Sequence, residues 1–223
     1  MVPPMKRLGC RIGVFAVLVL SVQGIGQGAP PKAPAAGARP AATELRIDAT
    51  KSRFIVETQT SGLSASSLHD HRIEIADFGG TVTLVPGARA TGALSITVRP
   101  GSLHLLDDDT VGEGRTIERT LREDVLEVTK YPEITFKTRS MKSSRRGDGT
   151  HDVRLTGELV LHGVRKVVTI PARVSLEAGT LRAIGTFELK QSDFDITPFS
   201  FVGGIVTIKD TIFLSFDIVA SAV

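Results

Sequence analysis

From Thr43 onward apolar and polar residues alternate with a period of two, which commits the chain to β-strands whose two faces meet different surroundings. Phe54 and Val56 alternate with Arg53, Ile55 and Glu57, Val82 and Leu84 with Thr81 and Thr83, and Leu94, Ile96 and Val98 with Ser95 and Thr97. Ile134 and Phe136 continue the pattern, followed by runs over Val153–Leu161, Val168–Leu176, Leu181–Leu189 and Ile212–Ile218. Between these runs stand Pro86-Gly87, Gly147-Asp148-Gly149, His162-Gly163 and Ala178-Gly179, residues that reverse a chain within a hairpin. The expectation is an all-β, antiparallel meander of about eight strands, which can close as a two-sheet sandwich or as a barrel. A barrel removes sheet edges and can enclose one small ligand, but alternation does not choose between the two. One segment departs from the pattern. From Thr110 to Asp124, Ile117 and Leu121 are four apart, Glu118 can pair with Arg122, and Thr110 with Glu113 forms a capping box, so a short helix is expected there.

The N-terminal residues have a different order. Lys6, Arg7 and Arg11 precede a run of apolar and small residues from Ile12 to Val22, and Ser, Gly, Gln and Ala follow to Ala29. That is the order of a cleavable secretory signal peptide, expected over residues 1–29. The apolar run is about half of the roughly 20 residues a membrane-spanning helix needs. Residues 30–42, rich in Pro, Ala and Gly, read as a linker, and the folded domain is expected over 43–223, placing the mature protein in the periplasm or outside the cell. The single cysteine, Cys10, lies ahead of the apolar run, so the exported domain would have neither a disulfide nor a thiol nucleophile. The whole excess of 27 Lys and Arg over 24 Asp and Glu is Lys6, Arg7 and Arg11, so the electrostatic case for a nucleic-acid partner disappears with the leader.

The most distinctive polar feature is His69-Asp70-His71. Residues two apart on a strand share a face, and this one continues through Ile73 and Ile75, so both imidazoles are expected to point inward. They supply only two ligands where zinc or copper sites want three or four, which leaves a metal site, a polar contact to a ligand head group and plain structure as alternatives. His162 reads as a turn residue hydrogen-bonded locally, while His104 and His151 flank loops. Asp107-Asp108-Asp109 lacks the spacing of a calcium loop. Arg146-Gly147-Asp148 reads as an ordinary hairpin tip. There is no nucleophile elbow, zinc-protease motif, phosphate loop or dinucleotide fingerprint, so a non-catalytic protein without a cofactor is expected.

Four segments carry a family resemblance: Asp124-Val-Leu-Glu-Val-Thr-Lys-Tyr-Pro-Glu-Ile-Thr-Phe136, Leu155-Thr-Gly-Glu-Leu-Val-Leu-His-Gly-Val-Arg-Lys166, Lys190-Gln-Ser-Asp-Phe-Asp-Ile196 and Lys209-Asp-Thr-Ile-Phe-Leu-Ser-Phe-Asp-Ile-Val-Ala220. In register from about Glu44 to Ala220 the chain resembles the YceI-like family. The resemblance implies an extended, lipocalin-like antiparallel barrel with one short helix at its side, usually exported, holding in several members a polyisoprenoid or other amphipathic lipid. Two departures stand out: Glu118-Arg-Thr-Leu-Arg-Glu-Asp124 replaces a histidine-bearing stretch, and Asp195 replaces a turn glycine. On this reading Phe54, Val56, His69, His71, Ile73, Ile96, Phe136 and Phe187 contact a lipid in the lumen, and small inward residues such as Gly157, Ala172, Ala183 and Gly185 make room for it. The alternative is a metal- or redox-linked binding protein using His69 and His71.

Overall fold

The computed structural model describes residues 42–62, 70–85, 91–106, 114–201 and 206–222. The strands are β1 Thr43–Ile47, β2 Arg53–Glu57, β3 Thr60–Gly62, β4 Arg72–Ile75, β5 Phe78–Val85, β6 Thr91–Val98, β7 Leu103–Leu105, β8 Ile134–Arg145, β9 His151–Leu161, β10 Val164–Glu177, β11 Thr180–Lys190, β12 Ser200–Phe201, β13 Val206–Ile208 and β14 Thr211–Ser221. Antiparallel neighbours follow the order β1-β5-β6-β8-β9-β10-β11-β14, and β14 returns to β1 by pairing Ser221 with Arg46 and Ala220 with Ile47. The sheet is therefore a closed barrel of 8 strands. Closure leaves no edge between the first and last wall strands, which decides the question that alternation left open.

Three wall strands are kinked and then resume, so β2, β4 and β7 prolong the wall beside the first half of β14. The β1–β2 kink is a 3-10 turn at Ala49–Lys51, capped by Asp48, whose Oδ1 accepts the Thr50 N–H at 3.0 Å. The buried Ser52 hydroxyl donates to the Asp48 carbonyl at 2.6 Å and accepts the Val219 N–H at 2.9 Å, tying the kink to β14. At the β6–β7 kink, Ser102 Oγ accepts the Asp77 N–H at 2.8 Å, which joins it to the β4–β5 kink. A second, small sheet of β12, β13 and β3 stands apart in the pairing order.

Two hairpins turn on residue pairs with positive φ, His162 (51°) with Gly163 (76°) and Ala178 (47°) with Gly179 (80°). These are the primed turns whose twist matches that of the flanking strands. Pro86-Gly87 lies outside the described residues. The Arg146-Gly147-Asp148 tip is an ordinary turn: Asp148 Oδ1 accepts the Thr150 N–H at 3.0 Å, and Arg146 pairs with Asp152 at 2.8 Å. Asp195 holds a left-handed φ of 55° at the end of the 3-10 turn Gln191–Phe194, a conformation that Asp reaches more readily than most residues. In β10 the ladder to β11 stops at Arg173, two residues past Pro171, which has no N–H to give. Beyond it Phe194, 1% exposed, and Ile196 pack with Leu161, Ile170 and Leu189.

The helix α1, Gly114–Thr120, widens into a π turn at Leu121–Val125, where the Leu126 N–H donates to the Leu121 carbonyl at 2.9 Å. Thr110 and Glu113, the expected capping box, lie outside the described residues. Glu118 and Arg122 pair at 3.2 Å, and Glu118 Oε1 accepts the Leu105 N–H at 2.9 Å, docking the helix on β7. Among the described residues no helix is long and apolar enough to cross a membrane.

Candidate functional site

The inward faces of the barrel strands enclose a cavity of about 390 Å³. Its walls are almost wholly aliphatic and aromatic, with Ile96 and Phe136 on one side and Phe187 and Phe216 facing them in the lining. Phe54 and Val56 of β2, and Ile73 and Ile75 of β4, line the part where the wall is prolonged. The polar lining residues are Thr58, Ser143, His151, Lys190 and Gln191, and they fall into two groups.

One group lies where α1 covers the barrel, with Leu121, Val125 and Leu126 in the lining. Of its polar residues Gln191 and Thr58 have protein partners, and Lys190 is exposed. Gln191 Nε2 donates to the Lys209 carbonyl at 3.0 Å, and the Thr58 N–H donates to the His71 carbonyl at 3.0 Å. A smaller pocket of about 70 Å³ beneath the helix shares Thr58, Ile73, Leu121, Val125 and Gln191 with the main cavity.

The other group lies toward the β8–β9 and β10–β11 hairpin tips, where Leu176 lines the cavity and is 58% exposed to solvent. Ser143 Oγ and His151 Nδ1 meet there at 3.1 Å. Strand alternation counted from Ile134 and Phe136 would turn Ser143 outward. The β-bulge between Thr138 and Ser140 reverses the parity, so that Met141 and Ser143 point in. The Leu94 N–H donates to Thr138 Oγ1 at 3.1 Å beside the bulge.

The small inward residues do not all make room. A Cβ on Gly157 would stand 2.5 Å from Phe136 Cζ, and one on Gly185 would stand 2.5 Å from Phe216 Cζ. Both glycines seat an aromatic ring, whereas Ala172 and Ala183 face the cavity. His71 is half-buried, just ahead of β4, and is not among the lining residues; His69 lies outside the described residues. Among the described residues no three His, Cys, Asp or Glu side chains gather as a metal site would require. His104 Nε2 lies 3.1 Å from Glu74 Oε2 across β7 and β4.

His162 is not held locally. Its side chain, 10% exposed, reaches Glu127 Oε2 with Nε2 at 2.8 Å and packs against Tyr131 with ring centroids 4.4 Å apart. Two segments of the resemblance, one holding Tyr131-Pro132 and the other His162-Gly163, thus meet in space.

The profile of the YceI-like domain matches residues 45–220. The chain belongs to the YceI-like family. A UPF0312 protein of Ectopseudomonas mendocina (strain ymp) is 32% identical over 167 residues, covering 72% of this chain and 81% of that relative. Among solved structures, Burkholderia cenocepacia BcnA aligns with a TM-score of 0.60 at 21% identity, over 78% of this chain and 99% of that one. A polyisoprenoid binding domain from Saccharophagus degradans, implicated in plant cell wall breakdown, aligns with a TM-score of 0.56 at 15% identity, over 82% of this chain and 100% of that one. At these identities the structural likeness is one of fold, and the YceI-like barrel of this chain carries its own lining.

Proposed function

We propose that this YceI-like protein is an exported, non-catalytic carrier that holds a polyisoprenoid or another amphipathic lipid in its barrel. The observation that carries this reading is the cavity of about 390 Å³ with its apolar walls. Ligand pockets occupy about 300–1,000 Å³, and an apolar space of this kind attracts an apolar occupant rather than ordered water. Each buried CH₂ is worth about 0.8 kcal/mol, so a prenyl unit of five carbons contributes at most about 4 kcal/mol. Micromolar affinity needs about 8 kcal/mol beyond the cost of immobilisation, which a chain of a few such units can supply. The polyisoprenoid binding described for the Saccharophagus degradans domain supports the choice of ligand class through shared fold. Phe54, Val56, Ile73, Ile96, Phe136 and Phe187 are the contacts we assign to the chain of the lipid.

Native mass spectrometry with organic extraction, on protein purified from its own compartment without detergent, tests this reading. An apolar adduct that leaves on extraction is the expected result. Apo mass throughout, with no uptake of added lipid, overturns it. Export is tested by intact mass: a mature chain beginning between about Gly24 and Ala42 is expected, and retention of Met1 overturns it.

A further inference from the structure

We infer that the β8–β9 end of the cavity is a binding site for the anionic head of the bound amphiphile, formed by Ser143, His151 and Arg145. The inference rests on the cavity being a lipid site and adds the orientation and head chemistry of the ligand. An amphiphile in an apolar barrel must leave its polar end where water or unspent hydrogen-bonding groups can meet it. At the α1 end, helix residues cover the cavity, the Gln191 amide donates to a backbone carbonyl, and the exposed Lys190 lies at the outer end of its strand. At the β8–β9 end, Ser143 and His151 contact each other, and His151 Nε2 has no protein partner among the described residues. The exposed Leu176 marks the same end as the one open to solvent.

Arg145 supplies the charge. It lies two residues beyond Ser143 and directly opposite His151 in the ladder, so it shares their inward face. It is exposed and has no ion pair among the described residues. The nearby carboxylates are engaged elsewhere: Asp152 pairs with Arg146 at 2.8 Å and with Arg173 at 3.9 Å, and Asp148 lies 3.9 Å from Arg146. With the Ser143 hydroxyl donating to His151 Nδ1, the His151 Nε2–H and the Arg145 guanidinium are the donors left at this end of the apolar cavity, complementary to the acceptor oxygens of a carboxylate or phosphate head.

The test is titration of the full chain with the fluorescent fatty acid cis-parinaric acid and with its methyl ester, which share a tail and differ in head charge. The wild type is expected to bind the acid about five- to tenfold more tightly than the ester, the range for a charge-assisted contact screened by solvent. In Arg145→Glu, and in the Ser143→Ala, His151→Ala double variant, the acid-over-ester preference is expected to fall below about twofold. The His151 ring resonances should move with the acid and not with the ester. Equal wild-type affinities, or a preference that survives both variants, overturn the inference and leave the lipid reading standing. Displacement of either probe by acetate at equal concentration overturns it in favour of a free-anion site. Failure of both probes to bind overturns the lipid reading, and the head-group assignment with it.

Discussion

His162 on the β9–β10 turn and Glu127 after the π turn of the helix, 35 positions apart in the chain, meet at 2.8 Å. The contact ties a hairpin of the wall to the segment whose neighbours Val125 and Leu126 line the cavity. With Nε2–H donating to the carboxylate, His162 Nδ1 is buried and has no partner among the described residues. The ring is therefore held by one hydrogen bond and by packing on Tyr131.

His162→Ala removes the bond and the ring contact together. The expected loss is about 1–3 kcal/mol of unfolding free energy, read from urea denaturation. Glu127 is 41% exposed, so Glu127→Gln is expected to cost only about 0.5 kcal/mol. Equal losses in the two variants would place the energy in the hydrogen bond to Glu127 rather than in ring packing.

Much of this architecture was legible because alternation, turn residues and closure each leave a local mark. The inward set Val153, Leu155, Leu159 and Leu161 of β9 follows directly from period two, and the turns at His162-Gly163 and Ala178-Gly179 follow from residues that reach positive φ. Ser143 was not legible, because a bulge reverses the parity of β8 between Phe136 and Met141 and hydrophobicity does not announce it. His151 flanks a loop in the sequence, and only the pairing of β8 with β9 reveals that it lies opposite Arg145 and in contact with Ser143. Gly157 and Gly185 depart from the sequence expectation for a related reason: a small residue signals close approach as well as space, and here Phe136 and Phe216 make the approach.

Ala178 occupies the first turn position of the β10–β11 hairpin at φ 47°, where a side chain with a Cβ is strained. Asn tolerates this region and leads the preference for such turns. Ala178→Asn is expected to raise stability by about 0.5–1 kcal/mol, seen as a higher urea midpoint at unchanged slope. A fall in the midpoint would mean that the turn is not of the primed type.

Asp48 carries the acid-sensitive joint between β1 and β2. The Thr50 hydroxyl, and after it Lys51, hold its carboxyl down from 3.8 to about 2. Asp217 is lowered in the same direction by Arg182, which bridges β11 and β14. A carboxyl held below its unfolded value contributes stability that is complete above that value and is lost as pH falls through the folded one. For Asp48 the window runs from about 3.8 down to about 2. Asp48→Asn is therefore expected to be less stable than wild type near neutrality, with the gap closing across that window. A gap that persists at the acid end would assign the effect to backbone geometry instead of ionisation.

Filling the cavity separates binding from folding. Ala183 of β11 lies opposite Ile218 of β14 and opposite Val174 of β10, and all three line the cavity. In a close-packed core a larger side chain at such a position costs about 1–3 kcal/mol through strain. Here added atoms meet open space, and the apolar surface they cover offsets the loss of rotamer freedom. Ala183→Phe is therefore expected to unfold within about 1 kcal/mol of wild type while binding the methyl ester of parinaric acid at least about tenfold more weakly, because the ring occupies volume that the chain of the ligand needs. Denaturation and ester titration on the same preparation check both halves. Destabilisation by more than about 3 kcal/mol would show that Ala183 faces a packed wall. Unchanged ester affinity in a stable variant would place the bound chain elsewhere in the barrel.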